Sequence, residues 1–248
     1  MKLDDPSRRG DSIARNAITF LDRYFYLGMS LLVATVVIFG FSHTIDGNLL
    51  HPDIPRPRIL SIHAIVFSSW VVLFIVQSTL VRVSKLALHR RLGVFGAALG
   101  TVLPILGLTT ALVMHHWHAQ HGDANEAGLS LPFNDMVTFS ITFGLAIRWR
   151  RRPDFHRRLV LLATCCLTGA AFARFPESMV PAYMFYVGVD LLILLGVLRD
   201  LLVNRSVHAV YRYGLPCMMT SQATAVYLLI VAPPLWLTIT HTIVRWTA

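Results

Sequence analysis

The short motif His-Arg-Arg-Leu occurs twice in this chain, each time at the start of a long apolar stretch. The first copy is His89–Leu92, within Leu88–Gly93, and the second is His156–Leu159. One imidazole from each of two facing helices is the donor set that holds a b-type haem, and Arg90 and Arg157 would then meet its propionates. The alternative is that the motif only anchors two helices at a membrane surface, with its arginines reaching toward lipid phosphates.

Small side chains follow each histidine along one helical face, at the 100° step of an α-helix. Behind His89 they are Gly93, Gly96, Gly100 and Gly107, and behind His156 they are Val160, Ala163, Leu167 and Ala170. Such faces either let a neighbouring helix approach closely or leave room for a flat cofactor. The sequence therefore predicts two helices of the same direction, each with a histidine at the head of a small-residue face.

Four ionisable residues lie inside apolar stretches, three of them toward the helix ends that are remote from the paired motifs and the fourth, Asp190, about half-way along its helix. They are His63, Asp135, Arg174 and Asp190, and Tyr183 and Tyr186 are expected on the helical face of Asp190. Ionisable groups at this depth in a membrane are costly unless they pair or line a wet cavity. We therefore expect a functional site with Asp135, Arg174, Asp190 and Tyr183 as its reactive groups. The alternative is an ion pair between Arg174 and Asp135 or Asp190 that only stabilises the bundle.

A histidine-rich segment follows the third apolar stretch and contains no lysine or arginine. It carries His115, His116, His118 and His121, followed by Asp123 and Glu126. Imidazole with carboxylate suits zinc, copper or iron, so this segment, together with His63, is a candidate metal site. Its spacing matches no specific motif, and a solvated loop is the alternative.

The composition indicates which elements position these residues. Of the 248 residues, 55% are hydrophobic and 14% charged, and the mean hydropathy is +0.59. These values fall outside the range of soluble domains and predict an all-α, polytopic membrane helix bundle. Seven apolar runs are long enough to cross a bilayer: Tyr24–Phe41, Ile59–Val81, Arg91–Met114, Pro132–Ile147, Leu159–Arg174, Pro181–Val203 and Ser221–Thr240.

The basic residues orient the predicted bundle. Most of the 22 lysines and arginines lie in the segments that precede odd-numbered spans. The positive-inside rule then places the N-terminus in the cytoplasm and the C-terminus outside a bacterial inner membrane. This distribution accounts for the net charge of +9 without a nucleic-acid partner. Residues 1–23 are predicted to form a basic cytoplasmic or interfacial segment, and residues 24–248 a single seven-helix domain whose core is residues 59–174.

Further features narrow the classes of protein. The three cysteines show no C-x-x-C spacing, which argues against a disulfide framework or a thiolate metal site. No phosphate-binding loop or dinucleotide fingerprint is present, and no lysine lies in the last span to hold retinal. Pro104 and the pair Pro233-Pro234 lie inside predicted spans and predict kinks.

The residues resemble a group of uncharacterised bacterial multi-pass membrane proteins. Their four-helix core carries a histidine in the first helix, Leu-His-Arg-x-Leu-Gly before the second, His-Arg-Arg before the fourth, and an arginine at the end of the fourth. Here His63, Leu88–Gly93, His156–Arg158 and Arg174 match in order. A more distant resemblance is to diheme b-type cytochromes, which implies one haem between His89 and His156. The second haem of that pattern would need a histidine where Asp135 stands, or His115 or His116 as a substitute.

The leading prediction is a membrane redox protein. It would carry at least one b haem between His89 and His156 and pass electrons between the quinone pool and a respiratory partner. Two haem-free hypotheses stay open. One is an assembly factor for a respiratory complex, and the other is a metal-dependent membrane enzyme or transporter that uses His63, Asp135, Arg174 and Asp190. The oligomeric state is left open.

Overall fold

A computed structural model describes residues 6–247, with side chains described from residue 18 onward. This part of the chain is helical and has no β-strand. The helices are α1 (Pro6–Ser42), α2 (Ile59–Arg82), α3 (Leu86–Gln120), α4 (Ser130–Arg148), α5 (Pro153–Cys166), α6 (Gly169–Phe172), α7 (Phe185–Asn204), α8 (Ala209–Val231) and α9 (Pro234–Thr247). A π-helical turn at Asp46–Leu50 and a 3₁₀ turn at Glu126–Leu129 lie in two of the connections.

Four of these helices are long and apolar enough to cross a membrane. They are α2, α3, α8 and the Ile18–Ser42 part of α1. Their outer surfaces carry large apolar side chains, such as Ile38 at 70% exposure and Val94 at 74%. Apolar surface on this scale marks contact with lipid rather than with water. The all-helical fold and the membrane character are therefore as predicted.

The predicted N-terminal segment, residues 1–23, is not separated from the first helix by a break. α1 runs without interruption from Pro6 to Ser42, so residues 6–23 extend the apolar part as a helix. The part of the prediction that concerns residues 1–5 falls outside the described residues.

The fifth predicted span, Leu159–Arg174, is not one continuous helix. α5 ends at Cys166 and α6 begins at Gly169. Between them the N–H groups of Leu167 and Thr168 bond to carbonyls three residues back, at 3.2 and 2.9 Å, and the Thr168 hydroxyl donates to the Cys165 carbonyl at 2.6 Å. These tighter bonds replace the regular α-helical pattern and end α5.

The last predicted span, Ser221–Thr240, is wrong in its bounds. α8 begins at Ala209 and ends at Val231, and Pro233-Pro234 separate it from α9 rather than kinking one helix. Ala232 has a left-handed backbone with φ of 47°. The prolines end α8 for two reasons. Pro233 disfavours the helical conformation of Ala232 before it, and neither Pro233 nor Pro234 has an N–H to continue the helical hydrogen bonds. Pro104, by contrast, lies within the continuous α3 as expected.

α4 is the central helix of the bundle and packs on α3, α5 and α8, while α1 packs on α2, α6 and α7. Trp70 of α2 makes edge contacts with Phe139 and Phe143 of α4, with ring centroids 5.4 and 5.2 Å apart. α1 approaches α6 so closely at Gly40 that a β-carbon there would overlap the backbone of Ala171. α4 thus lies between α3 and α5, the two helices that begin with the His-Arg-Arg motifs.

Candidate functional site

His89, in the first turn of α3, is held by Gln77 of α2. The Gln77 amide nitrogen donates to His89 Nδ1 at 2.6 Å and to the His89 carbonyl at 3.3 Å, and its oxygen accepts from the Gly93 N–H at 3.0 Å. The backbone carbonyl and N–H fix this orientation, because the first only accepts and the second only donates. Nδ1 of a neutral His89 is therefore an acceptor, and its proton lies on Nε2.

His156, in the first turn of α5, carries its proton on the other nitrogen. Its Nδ1 lies 2.9 Å from the carbonyl oxygen of Ala146 near the end of α4, and a carbonyl oxygen only accepts, so Nδ1 donates. Nε2 of a neutral His156 then carries no hydrogen. His156 lies within electrostatic range of His89, so the two imidazoles share one end of the bundle.

The arginines of the two motifs have different environments. Arg90 is exposed, whereas the Arg157 guanidinium lies 5.4 Å from the ring centroid of Tyr26 on α1. Arg158 is 2% exposed and donates to Asp200 of α7 through Nε at 2.8 Å and through a terminal nitrogen at 2.6 Å. The second motif therefore fixes α5 to α1 and α7.

Asp200 is the centre of a buried charge cluster that the sequence analysis missed. It also accepts from Arg199 at 2.7 Å and from the Asn204 amide at 3.0 Å, and Arg199 in turn donates to Asp22 of α1. Adjacent opposite charges at the end of an apolar run, as at Arg199-Asp200, were the available signal. The cluster is structural, because its carboxylates and guanidiniums are engaged with each other.

The charge cluster continues to the start of α8 through His208. Its Nε2 lies 3.5 Å from a carboxylate oxygen of Asp154, at the start of α5, and its Nδ1 accepts from the Val210 N–H at 3.2 Å. Burial and the nearby Arg158 charge lower the pKa of His208 from its ordinary value. Burial opposes ionisation of Asp154, but the hydrogen bond from His208 and the Arg152 charge more than offset it, so the pKa of Asp154 is lowered.

The face of α3 behind His89 is open close to the histidine and packed further along. A β-carbon at Gly93 would meet only the Gln77 side chain, at 3.8 Å, and one at Gly96 would lie 3.2 Å from Leu73. Further along, a β-carbon at Gly100 would overlap the ring of Phe143, and one at Gly107 the side chain of Met136. The haem between His89 and His156 stays a prediction.

Asp135 lies in the second turn of α4, at the opposite end from the paired histidines. Its Oδ1 accepts from the Tyr186 hydroxyl of α7 at 2.7 Å and from the Asn134 amide at 3.2 Å. Asn134 also reaches the Tyr186 oxygen at 3.3 Å, and the Cys166 thiol donates to the Asp135 carbonyl at 3.3 Å. Among the described side chains, no arginine, lysine or histidine lies within ion-pair distance of Asp135.

Asp190 lies one helical turn after Tyr186 on α7 and contacts Gln222 of α8. The Gln222 amide nitrogen donates to the two carboxylate oxygens of Asp190 at 3.1 and 3.3 Å. Tyr183 does not share this face, contrary to expectation. It precedes the start of α7, has a φ of 66°, and its ring is 55% exposed. The unit that forms is therefore Asp135, Tyr186, Asp190 and Gln222, without Tyr183.

Arg174 pairs with neither Asp135 nor Asp190 in the described structure, so the expected internal ion pair is not formed. Its guanidinium donates to the Ala170 carbonyl at 2.5 Å and lies 4.6 Å from the ring centroid of Phe41 on α1. His63 is within electrostatic range of Arg174 and stacks on Phe67 at 4.0 Å. The buried Nδ1 of His63 has no protein hydrogen-bond partner.

The histidines of the external segment have separate partners. The His116 ring bonds to the Thr247 hydroxyl at 3.1 Å, His121 bonds to the Trp117 carbonyl at 2.6 Å, and His118 lies 3.8 Å from Asp123. His115 is buried, and His63 belongs to the cluster around Arg174. Within the described part of the chain, no three His, Cys, Asp or Glu side chains come together as a metal site. The predicted cluster is not assembled, because His115, His116 and His118 lie on different faces of α3, His121 follows its end, and His63 lies on α2.

Comparison of the chain with protein-family models, with curated proteins and with solved structures found no match. Function is therefore argued from the site geometry alone.

Proposed function

We propose that this chain is a proton-translocating membrane transport protein whose outer half binds and releases protons at Asp135 and Asp190. The observation that carries the proposal is the environment of Asp135, a carboxyl inside the bundle with only neutral hydrogen-bond partners among the described residues. An acid inside a membrane bundle without a counter-charge is stable there mainly in its protonated form, and such acids mark ion or proton pathways.

Asp200 provides the contrast within the same molecule. Its carboxylate is fully buried and is bound by Arg158 and Arg199. A carboxylate held by two guanidiniums stays ionised and contributes to the scaffold. In place of arginines, Asp135 is bound by the Tyr186 hydroxyl and the Asn134 amide, and Asp190 by the Gln222 amide. These neutral groups accommodate both the protonated and the ionised form of an aspartate. The chain thus carries one kind of buried aspartate for structure and another that is suited to exchange protons.

The neighbours of Asp135 and Asp190 extend these acids into a polar track. Tyr186 and Asp190 are four residues apart on α7 and so lie on one helical face. Asn134, Asp135 and Tyr186 form one hydrogen-bonded group, and Asp190 forms a second with Gln222 on α8. The proposed track joins the two groups along the shared face of α7. Hydroxyl and carboxyl groups exchange protons through hydrogen bonds, and Gly169 leaves space beside Asp135 Oδ2, since a β-carbon there would lie 3.4 Å from that oxygen.

The proposed topology has seven spans in a bacterial inner membrane, with the N-terminus in the cytoplasm. The spans are α1, α2, α3, α4, α5 together with α6, α7 and α8, whereas α9 lies at the outer surface. Two contacts support this position of α9: the Trp236 indole donates to the Ala127 carbonyl at 3.2 Å, and His241 lies 3.3 Å from Glu126. α5 has 14 residues and is only about 21 Å long, so it needs α6 to approach the outer surface.

Electron transfer through haem is not part of this proposal, which rests on the acids at the other end of the bundle. No contact of the described residues favours an assembly-factor role or a quinone site. The hypothesis of a transporter with an outward-facing site is retained for Asp135 and Asp190. Its metal ion is not, because the described residues form no metal site.

Proton flux into liposomes tests the proposal. The purified protein is reconstituted with a pH-sensitive dye inside, and a potassium diffusion potential drives protons inward. We expect flux above that of empty liposomes for the wild type, and flux at the empty level for Asp135→Asn. Tyr186→Phe removes one hydroxyl from the track and should slow the flux. The matched control is Asp123→Asn, which removes an exposed outer carboxylate and should leave the flux unchanged.

Infrared difference spectra between acid and alkaline pH give a second readout. The wild type should show a carboxylic-acid carbonyl band that is absent in Asp135→Asn and present in Asp123→Asn. Wild-type liposomes that take up protons no faster than empty ones would refute proton translocation. Flux that is unaffected by Asp135→Asn would refute the assignment of the pathway.

A further inference from the structure

An apolar groove runs along the face of α1 near its cytoplasmic end in the proposed topology. It is lined by Phe20, Leu21, Tyr24, Phe25, Gly28 and Met29. Gly28 leaves the floor of the groove open, since a β-carbon there would meet no atom within 4 Å. A groove of this composition suits a hydrocarbon chain and offers nothing to a free polar solute.

The groove ends at a cation that has no acidic partner among the described side chains. Arg82, the last residue of α2, donates to the Tyr24 hydroxyl oxygen at 2.5 Å, and its guanidinium lies 4.1 Å from the Tyr24 ring centroid. Arg82 Nε is buried and has no hydrogen-bond partner in the part of the chain from residue 18 onward. The nearest acid along α1, Asp22, is engaged by Arg199. In the described part of the chain, no carboxylate lies within ion-pair distance of Arg82.

We propose that this groove is a binding site for one anionic phospholipid of the inner leaflet. One acyl chain lies along the groove on α1, and the phosphate accepts hydrogen bonds from Arg82, with Arg23 adding positive charge. Arg23 lies close by, with its guanidinium 6.0 Å from the Tyr24 ring centroid. Guanidinium groups bind phosphate with strong, charge-assisted hydrogen bonds, and basic pockets at the cytoplasmic ends of helices recognise anionic lipids.

Two glycine variants test the acyl-chain part of the site. Gly28→Leu fills the groove, and because its β-carbon meets nothing, the bundle itself is undisturbed. Gly144→Leu is the matched control: Gly144 is an exposed glycine on α4 whose β-carbon also meets nothing within 4 Å, and it lies outside the groove. The measurement is native mass spectrometry of the full chain in detergent, with phosphatidylglycerol or phosphatidylcholine added.

We expect the first bound lipid on the wild type and on Gly144→Leu to be phosphatidylglycerol, favoured by about tenfold over phosphatidylcholine. Gly28→Leu should lose this first binding event, and Arg82→Gln should bind both lipids about equally. Glycerol phosphate, which has the phosphate but no acyl chain, should not displace the lipid.

Three outcomes would overturn the proposal. Gly28→Leu could keep the wild-type preference, which would place the lipid elsewhere. Arg82→Gln could keep it, which would remove the phosphate contact. Glycerol phosphate could displace the lipid at equal concentration, which would indicate a site for a free anion. Because Gly28→Leu leaves Arg82 in place, the test does not depend on the folding of Arg82→Gln, and it is independent of any proton flux.

Discussion

Replacing Asp200 by asparagine should be the most destabilising near-isosteric change in this protein. Asp200 is fully buried, and Arg158 and Arg199 are each 2% exposed. Its carboxylate accepts hydrogen bonds of 2.8 and 2.6 Å from Arg158 and of 2.7 Å from Arg199. The substituted side chain would keep the volume but present an amide nitrogen to guanidinium donors, and Asp22, which is half-exposed, would be the one acid left for two buried cations.

The expected loss follows from this geometry. Removing one partner of a buried ion pair costs about 3–5 kcal/mol, because the remaining charge stays buried without compensation. Here the remaining charges are two guanidiniums, so we expect a loss at the upper end of that range. Arg158→Met should cost less, because the bond between Asp200 and Arg199 survives it and a flexible apolar chain fills the space.

The assay is equilibrium unfolding in mixed detergent micelles, followed by helical circular dichroism. Asp46→Asn is the control, because it removes a carboxylate from an exposed pair with His51, in which the Asp46 and His51 side chains are 73% and 82% exposed. Exposed pairs contribute little, so this variant should unfold like the wild type. An unfolding free energy for Asp200→Asn within about 1 kcal/mol of the wild type would refute the assignment of Asp200 as the buried centre of charge.

Three further predictions concern helix contact, pH and cofactor. Gly40→Ala should destabilise the bundle by about 1–3 kcal/mol in the same unfolding assay, because the added β-carbon would overlap the Ala171 backbone. Gly144→Ala should be neutral or stabilising, because the β-carbon added there would have no atom within 4 Å. The pKa of His208 is lowered in the folded protein, so the unfolded chain takes up more protons and the unfolding free energy falls as pH drops below about 6.5. His208→Gln should flatten that dependence in the same unfolding assay. A reduced-minus-oxidised spectrum of the purified protein tests the haem prediction directly: a b-type band that is lost in His89→Ala and in His156→Ala would support a haem between these histidines, and the lack of any such band would contradict it.

Hydropathy and length predicted the elements well where nothing interrupts the helical ladder. The second predicted span, Ile59–Val81, differs from α2 by one residue. The failures lie at Thr168 and at Ala232, where hydroxyl-to-carbonyl bonding and a proline pair end helices inside apolar sequence. Hydropathy does not detect these helix ends, because threonine and alanine also occur within membrane helices. Only the backbone geometry distinguishes a helix end from a helix interior at such a residue.

The site was predicted in its members but not in its pairings. Asp135 and Asp190 stood out because they are acids within apolar runs. Their partners, Tyr186 and Gln222, did not, since a tyrosine or glutamine in a membrane helix is common and the order of helices around a bundle is not encoded in hydropathy. The same missing information made Arg174 look like the counter-ion of an acid, although it lies against Phe41 instead.

The two His-Arg-Arg copies show how identical residues acquire different functions from their surroundings. In the second copy, the two arginines have partners far away in sequence, Tyr26 on α1 and Asp200 on α7, while His156 bonds to Ala146 on the neighbouring α4. In the first copy, His89 is bound by the neighbouring hairpin helix through Gln77, and Arg90 and Arg91 are exposed. A bundle needs one such motif buried to fix its helices, and a second at its edge can hold exposed cations at the proposed cytoplasmic surface. The acids that we propose to bind protons, Asp135 and Asp190, lie away from both motifs and have no arginine partner among the described side chains.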